Sequence, residues 1–285
     1  MLNLLLNRRL ILIDKIINIL KYLFLGLLQG FTEVLPVSSS GHLQIASEVL
    51  NISDESVTLS VLLHIASLLA VLIYLRKELI ELIKGFFGFI FKDRVNYKNQ
   101  FMLAIYLCIT TIILVIFTII MKLIGFDKSP LWLVGLCLVI NAIILFCFGK
   151  FTGNKSIYEI NLKDSIVIGL FQCAGSLAGI SRSGSCLCGC KVRNIEKEAS
   201  AKYAFLLFVP AMVGATVLEF KDLTNLFIDT SNLYLYIISF IVTFVTTYFA
   251  FAFLKKIINK GKITYFGIYC AIIGIVTFIY ALIVK

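Results

Sequence analysis

Six long apolar stretches limit this 285-residue chain to one structural class. A helix needs about 20 apolar residues to cross the hydrocarbon core of a bilayer. Hydrophobic residues make up 60% of the sequence and charged residues only 15%, whereas soluble domains have about 25% charged residues. The sequence therefore predicts an all-α polytopic membrane protein with about six transmembrane helices, in one integral membrane domain over residues 1–285. The stretches are Val57–Leu75, Phe101–Met121, Leu131–Gly149, Tyr203–Leu218, Leu233–Leu254 and Ile263–Val284.

Three further apolar stretches are too short or too broken to cross a bilayer: Phe24–Leu50, Leu79–Phe91 and Ile166–Cys190. Broken backbone is tolerated at membrane depth where it lines an enclosed or wet cavity. We therefore expect each stretch to be a re-entrant pair of half-helices that enters and leaves by the same side. Residues 1–21 are predicted to be an N-terminal extension, with Leu10–Leu20 as an interfacial or membrane-entry helix, because no signal-peptide cleavage site follows.

The basic residues lie in short loops between the apolar stretches. The net charge is +10, but this distribution is typical of residues that fix topology at the cytoplasmic leaflet, and it argues against a nucleic-acid partner. Loops 76–100, 150–163, 191–202 and 255–262 hold 17 Lys and Arg, whereas the opposite set holds 4. The first set is predicted to be cytoplasmic, which places the C-terminus outside. Arg8, Arg9, Lys15 and Lys21 would then lie outside, against the rule.

A repeat links two of the broken stretches. Gly26-Leu-Leu-Gln29 matches Gly169-Leu-Phe-Gln172, and the same offset of 143 residues matches Ser38-Ser-Ser-Gly41 with Ser181-Arg-Ser-Gly184. The predicted topology brings the two copies in from opposite sides. We therefore predict inverted repeats over roughly 22–121 and 164–262, an architecture that places sites near the bilayer midplane.

The first copy carries an unusual set of polar side chains. Gln29 and Glu33 are four residues apart, so they share a face on a helix. The serines Ser38–Ser40 follow, and then His42, one of only two histidines. Ionisable groups at membrane depth are functional-site hypotheses. This stretch is therefore predicted to be half of a catalytic centre.

The second copy supplies a cation. Arg182 is the only basic residue between Asp164 and Cys190, and its planar fork of donors fits phosphate. Ser181, Ser183 and Gly184 surround it, and backbone N–H groups in such a segment can turn toward the same anion. Two alternatives remain: Arg182 extends to an interface, or it pairs with Glu33 in a purely structural role.

Together these residues meet the needs of phosphate-ester chemistry, which requires an anion clamp, a hydroxyl nucleophile and a proton-transfer group. Glu33 is a candidate ligand for a divalent cation, Mg²⁺ or Ca²⁺. Gln29 could bind a metal ion only through its neutral amide carbonyl, so Glu33 would be the single carboxylate ligand of this site. His64 lies within an apolar run and is more typical of a hydrogen-bonded packing residue than of a catalytic one.

These motifs resemble a known family. The run LGLLQGFTEVLPVSSSGHL is similar to the first signature of the undecaprenyl-diphosphate phosphatases, the bacitracin-resistance family of bacterial membranes, and GISRSGSC is similar to the second. The segments LLHIASLLAVLIYLRKEL, EASAKYAFLLFVPAMVGA and FGIYCAIIGI also resemble family segments. The resemblance runs from about Phe24 to the C-terminus. The family's second signature has a proline where this chain has Ala178, and a threonine where it has Cys186.

The resemblance implies an integral membrane enzyme that hydrolyses undecaprenyl diphosphate to the monophosphate and inorganic phosphate. This reaction recycles the lipid carrier of cell-wall synthesis and confers bacitracin resistance, and the family's site opens to the outer face of the cell membrane. Carried over by position, the acidic motif is Gln29 and Glu33, and the hydroxyl and imidazole groups are Ser38, Ser39 and His42. The phosphate clamp is Ser181, Arg182 and Ser183.

From these roles we predict catalytic residues Glu33, Ser39, His42 and Arg182, with Ser39 as nucleophile and His42 as general base or acid. Substrate binding is assigned to Gln29, Ser38, Ser40, Ser181, Ser183 and Gly184. A phosphohistidine route is an alternative to the serine nucleophile. At the level of function, the alternatives are a polyprenyl-phosphate transporter, a divergent paralogue with reduced activity and a structural membrane subunit. The expected partners are the isoprenyl diphosphate and the bilayer, and a homodimer is compatible with the sequence.

Overall fold

The computed structural model describes residues 2–52, 56–125, 129–149, 153–218, 233–259 and 262–284. Within these residues the chain forms eleven α-helices and no strand, apart from one isolated bridge between Lys155 and Ile195. The prediction of an all-α protein is confirmed. The helices are α1 (Leu2–Val34), α2 (Ser39–Leu50), α3 (Ser56–Tyr74), α4 (Arg76–Phe91), α5 (Lys98–Leu123), α6 (Leu131–Gly149), α7 (Leu162–Ala174), α8 (Arg182–Val192), α9 (Lys197–Leu218), α10 (Leu233–Asn259) and α11 (Thr264–Ile283), with a 3₁₀ turn at Ile157–Glu159.

Five helices are long and apolar enough to cross a membrane, namely α5, α6, α9, α10 and α11. A sixth span results if the bent pair Thr58–Tyr74 and Arg76–Phe91, whose axes differ by 75°, is counted as one. The chain is therefore a multi-pass membrane protein with five to six candidate spans in the described residues. The expectation that Leu79–Phe91 is a pair of half-helices is wrong, because α4 is one unbroken helix. No proline or capping signal interrupts that segment, so nothing breaks its backbone ladder.

The first helix is longer than the sequence suggested. α1 has 33 residues, about 50 Å at 1.5 Å per residue, so the predicted N-terminal extension continues without a break into the first half-helix. α1 lies along α10 at close range, since a Cβ on Gly26 would lie 2.7 Å from the Ser239 carbonyl oxygen. Gly30 makes a similar approach one turn later. Small residues four apart are the usual way in which two membrane helices come this close.

Two helical hairpins follow the repeat seen in the sequence. The first is the C-terminal half of α1 with α2, and the Lys21 ammonium closes its open end by donating to the Leu50 carbonyl at 2.7 Å. The second is α7 with α8, and Arg193 Nε closes it by donating to Asp164 Oδ1, also at 2.7 Å. The residues that close the second hairpin follow those of the first by the same 143 positions. The two hairpins are therefore equivalent down to the contact at their open ends, while their opposite insertion in a membrane stays a prediction.

Asp164 anchors the second hairpin. Its buried carboxylate accepts hydrogen bonds from Lys155 Nζ at 2.6 Å and from Arg193 Nε. Burial raises the pKa of the Asp164 carboxyl, but these hydrogen bonds and the Asn161 N–H outweigh it, so the pKa lies below its ordinary value of 3.8. The ionised carboxylate is therefore the form that holds this end of the hairpin.

Each hairpin packs against a long helix from the other half of the chain. α1 lies against α10, whereas α7 lies against α5. The spans α6 and α11 also join the two halves, and their backbones touch where Gly135 meets Gly274. This crossed packing brings the turns of the two hairpins together in the interior.

Candidate active site

The acidic motif lies on the last turns of α1. The Gln29 side-chain amide donates to Glu33 Oε2 over 2.8 Å, so the prediction that the two residues share a helix face is confirmed. The Glu33 side chain is only 5% exposed, and His64 of α3 places Nε2 3.5 Å from the same oxygen. His64 Nδ1 is buried and has no hydrogen-bond partner. The carboxylate therefore lies between an amide donor and an imidazole.

The turn between α1 and α2 presents the serines. Pro36 disfavours helical geometry at the residue before it, and Ser38 then caps α2 with a φ of 72°. The Ser38 hydroxyl accepts from the N–H of Gly41 at 3.4 Å and from the N–H of Gly179 at 3.0 Å, so it is committed to holding the turn. The Ser39 hydroxyl lines the cavity described below and has no hydrogen-bond partner among the described residues. Within this turn, Ser39 is thus the serine whose hydroxyl is not engaged by another group.

Arg182 begins α8 and forms no ion pair with a carboxylate of the described residues. Its Nη1 donates to the Met212 thioether at 3.1 Å, and its Nε is buried without a partner. The ion pairs among the described residues do not join Arg182 to Glu33. The alternative of a structural Arg182–Glu33 pair therefore has no support in this conformation. A buried guanidinium that has an N–H without a hydrogen-bond partner is suited to binding an anion.

One cavity of ≈ 360 Å³ gathers most of the predicted site. Both hairpin turns line it, together with His64, Lys122 and Gln172, which sequence reasoning had not assigned to the site. The first residues of α2 and α8 are part of this lining, so two helix N-termini with partial positive charge face the same space. The predicted site residues that line the cavity are Glu33, Ser38, Ser39, Ser40, Ser181, Arg182 and Ser183.

Asn141 joins the two hairpin turns, and sequence reasoning missed it. This fully buried residue of α6 donates from Nδ2 to the Pro36 carbonyl at 2.9 Å and accepts at Oδ1 from the Ser181 N–H at 3.1 Å. The turns also touch directly, since a Cβ on Gly41 would lie 2.9 Å from Gly179. The signal that could have found Asn141 was its position as an amide in the middle of an otherwise apolar span.

Three predicted site residues lie behind the cavity surface rather than on it. Gln29 contacts the cavity only through Glu33. The Gly184 N–H donates to the Ser181 hydroxyl at 3.2 Å as part of the α8 cap. His42 has both ring nitrogens occupied, by the Ser38 carbonyl at 2.8 Å and the Tyr269 hydroxyl at 2.9 Å. Their assigned roles in the reaction stay predictions.

The two positions at which the chain departs from the family signature are both in the cavity wall. Ala178 and Cys186 line it beside the second serine turn. The turn itself is intact without the proline, because Gly179 adopts a φ of 100° and Ile180 donates its N–H to the Leu177 carbonyl at 3.0 Å. Cys186 is a weaker hydrogen-bonding group than threonine at the same place. The geometry of the serine cluster is thus preserved, and the polarity of one wall is lower.

The cavity lining offers a divalent cation one carboxylate, that of Glu33. No group of three His, Cys, Asp or Glu side chains within the described part of the chain could hold a metal by itself. Mg²⁺ commonly binds through one or two carboxylates and completes its shell with substrate phosphates and water. The donor set therefore fits a cation that is shared with a phosphorylated substrate.

The chain is similar to named proteins over nearly its whole length. Residues 22–276 match the family described as bacitracin resistance protein BacA. The relatives include undecaprenyl-diphosphatase 1 of Bacillus cereus, which is 35% identical over 94% of this chain and 99% of its own length. Undecaprenyl-diphosphatase 1 of Shouchella clausii is 34% identical over 92% and 96% of the two chains, and undecaprenyl-diphosphatase of Oceanobacillus iheyensis is 32% identical over 92% and 97%. This chain therefore belongs to the bacitracin resistance protein BacA family.

Proposed function

We propose that this protein hydrolyses undecaprenyl diphosphate to undecaprenyl phosphate and inorganic phosphate, and so recycles the lipid carrier of cell-wall synthesis and confers bacitracin resistance. The names of its relatives support the reaction. The observation that carries the proposal is Arg182, which lines the cavity and whose buried Nε–H has no hydrogen-bond partner. An arginine fork binds phosphate oxygens in pairs, so the terminal phosphate of the diphosphate is the natural ligand.

Two helix N-termini add to this clamp. The lining contains Ser39 and Ser40 at the start of α2 and Ser183 in the first turn of α8. Backbone N–H groups at a helix start have no partner within the helix and attract anions. Together with Arg182 they would stabilise the charge that spreads over the transferred phosphoryl oxygens.

Ser39 is proposed as the nucleophile. Its Oγ attacks the terminal phosphorus, the bond from phosphorus to the bridging oxygen breaks, and undecaprenyl phosphate leaves. Water then attacks the phosphoserine, which releases inorganic phosphate and restores the hydroxyl. The serine proton passes to the pair formed by Glu33 and His64, since both line the cavity while the ring nitrogens of His42 are occupied.

A divalent cation, Mg²⁺ or Ca²⁺, is part of the proposal. Glu33 would hold it together with oxygens of the substrate, and a bound cation neutralises charge on a diphosphate. Glu33 is well placed for this because the Gln29 amide fixes the orientation of its carboxylate. Phosphate release that is insensitive to both metal ions and to a chelator would count against this part.

We place the opening of the site on the outer face of the bacterial cell membrane. Lys122 and Ser129 line the cavity, and both belong to a connection that the charge pattern predicts to be outside. The isoprenyl tail would then lie between apolar helices such as α5 and α9, which contribute Leu114, Phe208 and Leu218 to the lining. This arrangement keeps the diphosphate in the polar interior and the tail in lipid.

Transport of a polyprenyl phosphate is the second candidate. It is favoured by the equivalence of the two hairpins, since the residues that close the second follow those that close the first by 143 positions. Inverted repeats with broken helices are a common transporter plan. The Ser39 hydroxyl, which lines the cavity without a hydrogen-bond partner among the described residues, favours chemistry over transport.

The deciding experiment is phosphate release from C55 diphosphate by the purified protein in detergent, with Mg²⁺ or Ca²⁺ and with a chelator. We expect turnover that Arg182→Ala abolishes and that Arg76→Ala leaves unchanged. Arg76 is a matched control because its Nη1 donates only to the Ile73 carbonyl at an exposed position. Wild-type release no greater than that of Arg182→Ala would overturn the enzymatic proposal, and lipid movement in vesicles would then test transport.

A further inference from the structure

His42 is fixed at both ring nitrogens. Its Nδ1 lies 2.8 Å from the Ser38 carbonyl oxygen, and its Nε2 lies 2.9 Å from the hydroxyl of Tyr269 on α11. The two rings also stack, with centroids 5.4 Å apart and planes inclined by 11°. His42 is buried, and the ion pairs of the described residues include none to it.

These contacts determine which nitrogen carries the proton. A carbonyl oxygen can only accept, so Nδ1 must be the protonated nitrogen. In a neutral imidazole Nε2 is then an acceptor, and the Tyr269 hydroxyl donates to it. The Ser38 carbonyl thereby selects this tautomer of His42, since the other would leave Nδ1 and the carbonyl as two facing acceptors. The Tyr269 hydroxyl satisfies the Nε2 lone pair that the selected tautomer leaves in the interior.

The Ser38 carbonyl belongs to the strained turn that carries the site. Ser38 has a φ of 72°, and a residue held in such a region persists only where its surroundings over-determine it. The same carbonyl also accepts the His42 backbone N–H at 3.2 Å, while the Ser38 hydroxyl holds Gly41 and Gly179. The next residue is Ser39, so any movement of this turn changes the position of the free hydroxyl.

We propose that Tyr269 is a positioning residue for the reaction: its hydroxyl donates to Nε2 and holds the His42 ring where Nδ1–H donates to the Ser38 carbonyl, which aims Ser39 into the cavity. Tyr269 lies outside the cavity lining and acts through His42. The effect on turnover rests on the proposed phosphatase function, whereas the hydrogen bond at Nε2 does not.

The test is nitrogen NMR of the full-length protein in detergent with ¹⁵N-labelled histidine, combined with phosphate release. The chain has only two histidines, so His64→Gln assigns both sets of ring signals. We expect wild-type His42 to be a single Nδ1–H tautomer whose Nε2 signal is that of a hydrogen-bonded acceptor. In Tyr269→Phe the Nε2 signal should shift to that of an acceptor without a donor. Turnover of Tyr269→Phe should fall about five- to tenfold, the equivalent of one hydrogen bond, with KM little changed because the phosphate clamp is untouched.

Tyr265→Phe is the matched control, since this tyrosine lies one turn earlier on α11 and is 64% exposed. It should leave the ring signals of His42 and turnover unchanged. A wild-type Nε2 signal in Tyr269→Phe would overturn the proposal, whether or not turnover changes. If the wild type releases no phosphate, the proposed reaction fails while the NMR result still decides whether Tyr269 holds the His42 ring.

Discussion

Replacing Asn141 by leucine should separate the two hairpin turns. The change removes the bonds to the Pro36 carbonyl and the Ser181 N–H, and both groups are in the buried interior. On the scale of soluble proteins, each unpaired buried group costs about 1–3 kcal/mol, which gives roughly 2–6 kcal/mol. Measured bonds between membrane helices average about 0.6 and reach about 1.7 kcal/mol, which gives roughly 1–3 kcal/mol. The ranges overlap at about 2–3 kcal/mol, which is the loss of unfolding free energy that we expect.

The loss can be measured by reversible unfolding in mixed detergent micelles, with phosphate release measured on the folded fraction. Ser239→Ala is the control, because this buried hydroxyl of α10 donates only within its own helix, to the Tyr236 carbonyl at 3.0 Å. It should cost less than about 1 kcal/mol. Turnover of Asn141→Leu should fall by about 10- to 100-fold, since a shift of about 1 Å between reacting groups has effects of that order. Wild-type stability together with wild-type turnover would refute the role of Asn141 as the link between the turns.

Three further predictions concern the turn, the hairpin anchor and the cavity mouth. Gly179→Ala should lose well over 2 kcal/mol of unfolding free energy. The φ of 100° costs about 1–2 kcal/mol for a residue with a side chain, and the new Cβ would also clash with the Val134 carbonyl oxygen at 2.5 Å. Gly125→Ala is the control, because Gly125 has a φ of 74° and open space around it and so should show the conformational cost alone. The melting temperature should fall as the pH drops below the ordinary pKa of Asp164, because the pKa is lowered in the folded protein and only the ionised carboxylate stabilises the fold. The Asp164→Asn variant should have a lower melting temperature at neutral pH, and that temperature should depend less on acid. Lys122→Gln should raise KM roughly two- to fivefold at low salt and leave kcat unchanged, because an exposed charge contact contributes an energy of this order. A changed kcat with a constant KM would contradict this prediction.

Local features of the site could be predicted because they depend on neighbouring residues. The four-residue spacing of Gln29 and Glu33, the helix break at Pro36 and the cap at Ser38 all follow from rules that act within one or two turns. The repeat offset of 143 residues is also seen in the structure, because it relates the contacts at the open ends of both hairpins. The continuous α1 could not be predicted, because five charged residues within residues 1–21 suggested a boundary, whereas the helix continues through them.

Contacts between distant elements could not be predicted from one sequence. His64 was predicted to be a hydrogen-bonded packing residue and Asn141 was not recognised, because only the packing of α3 and α6 against the hairpins brings them to the site. The partner of His42 is 227 residues away in α11. Periodicity identifies which face of a helix is polar, but it does not identify the helix that covers this face.

The crossed packing makes the site depend on both halves of the chain. The first hairpin brings the carboxylate and the free hydroxyl of Ser39, whereas the second brings Arg182, so neither turn holds both an anion clamp and a nucleophile. Distant parts of the chain also fix the first turn: the Ser38 hydroxyl accepts the Gly179 N–H, and His42 Nε2 accepts a hydrogen bond from the Tyr269 hydroxyl. Because the reacting groups must be held within fractions of an ångström, the reaction requires the two halves to be packed together. A substitution at this junction should therefore reduce turnover even where it touches no substrate, and changes at Asn141 and Tyr269 should act alike.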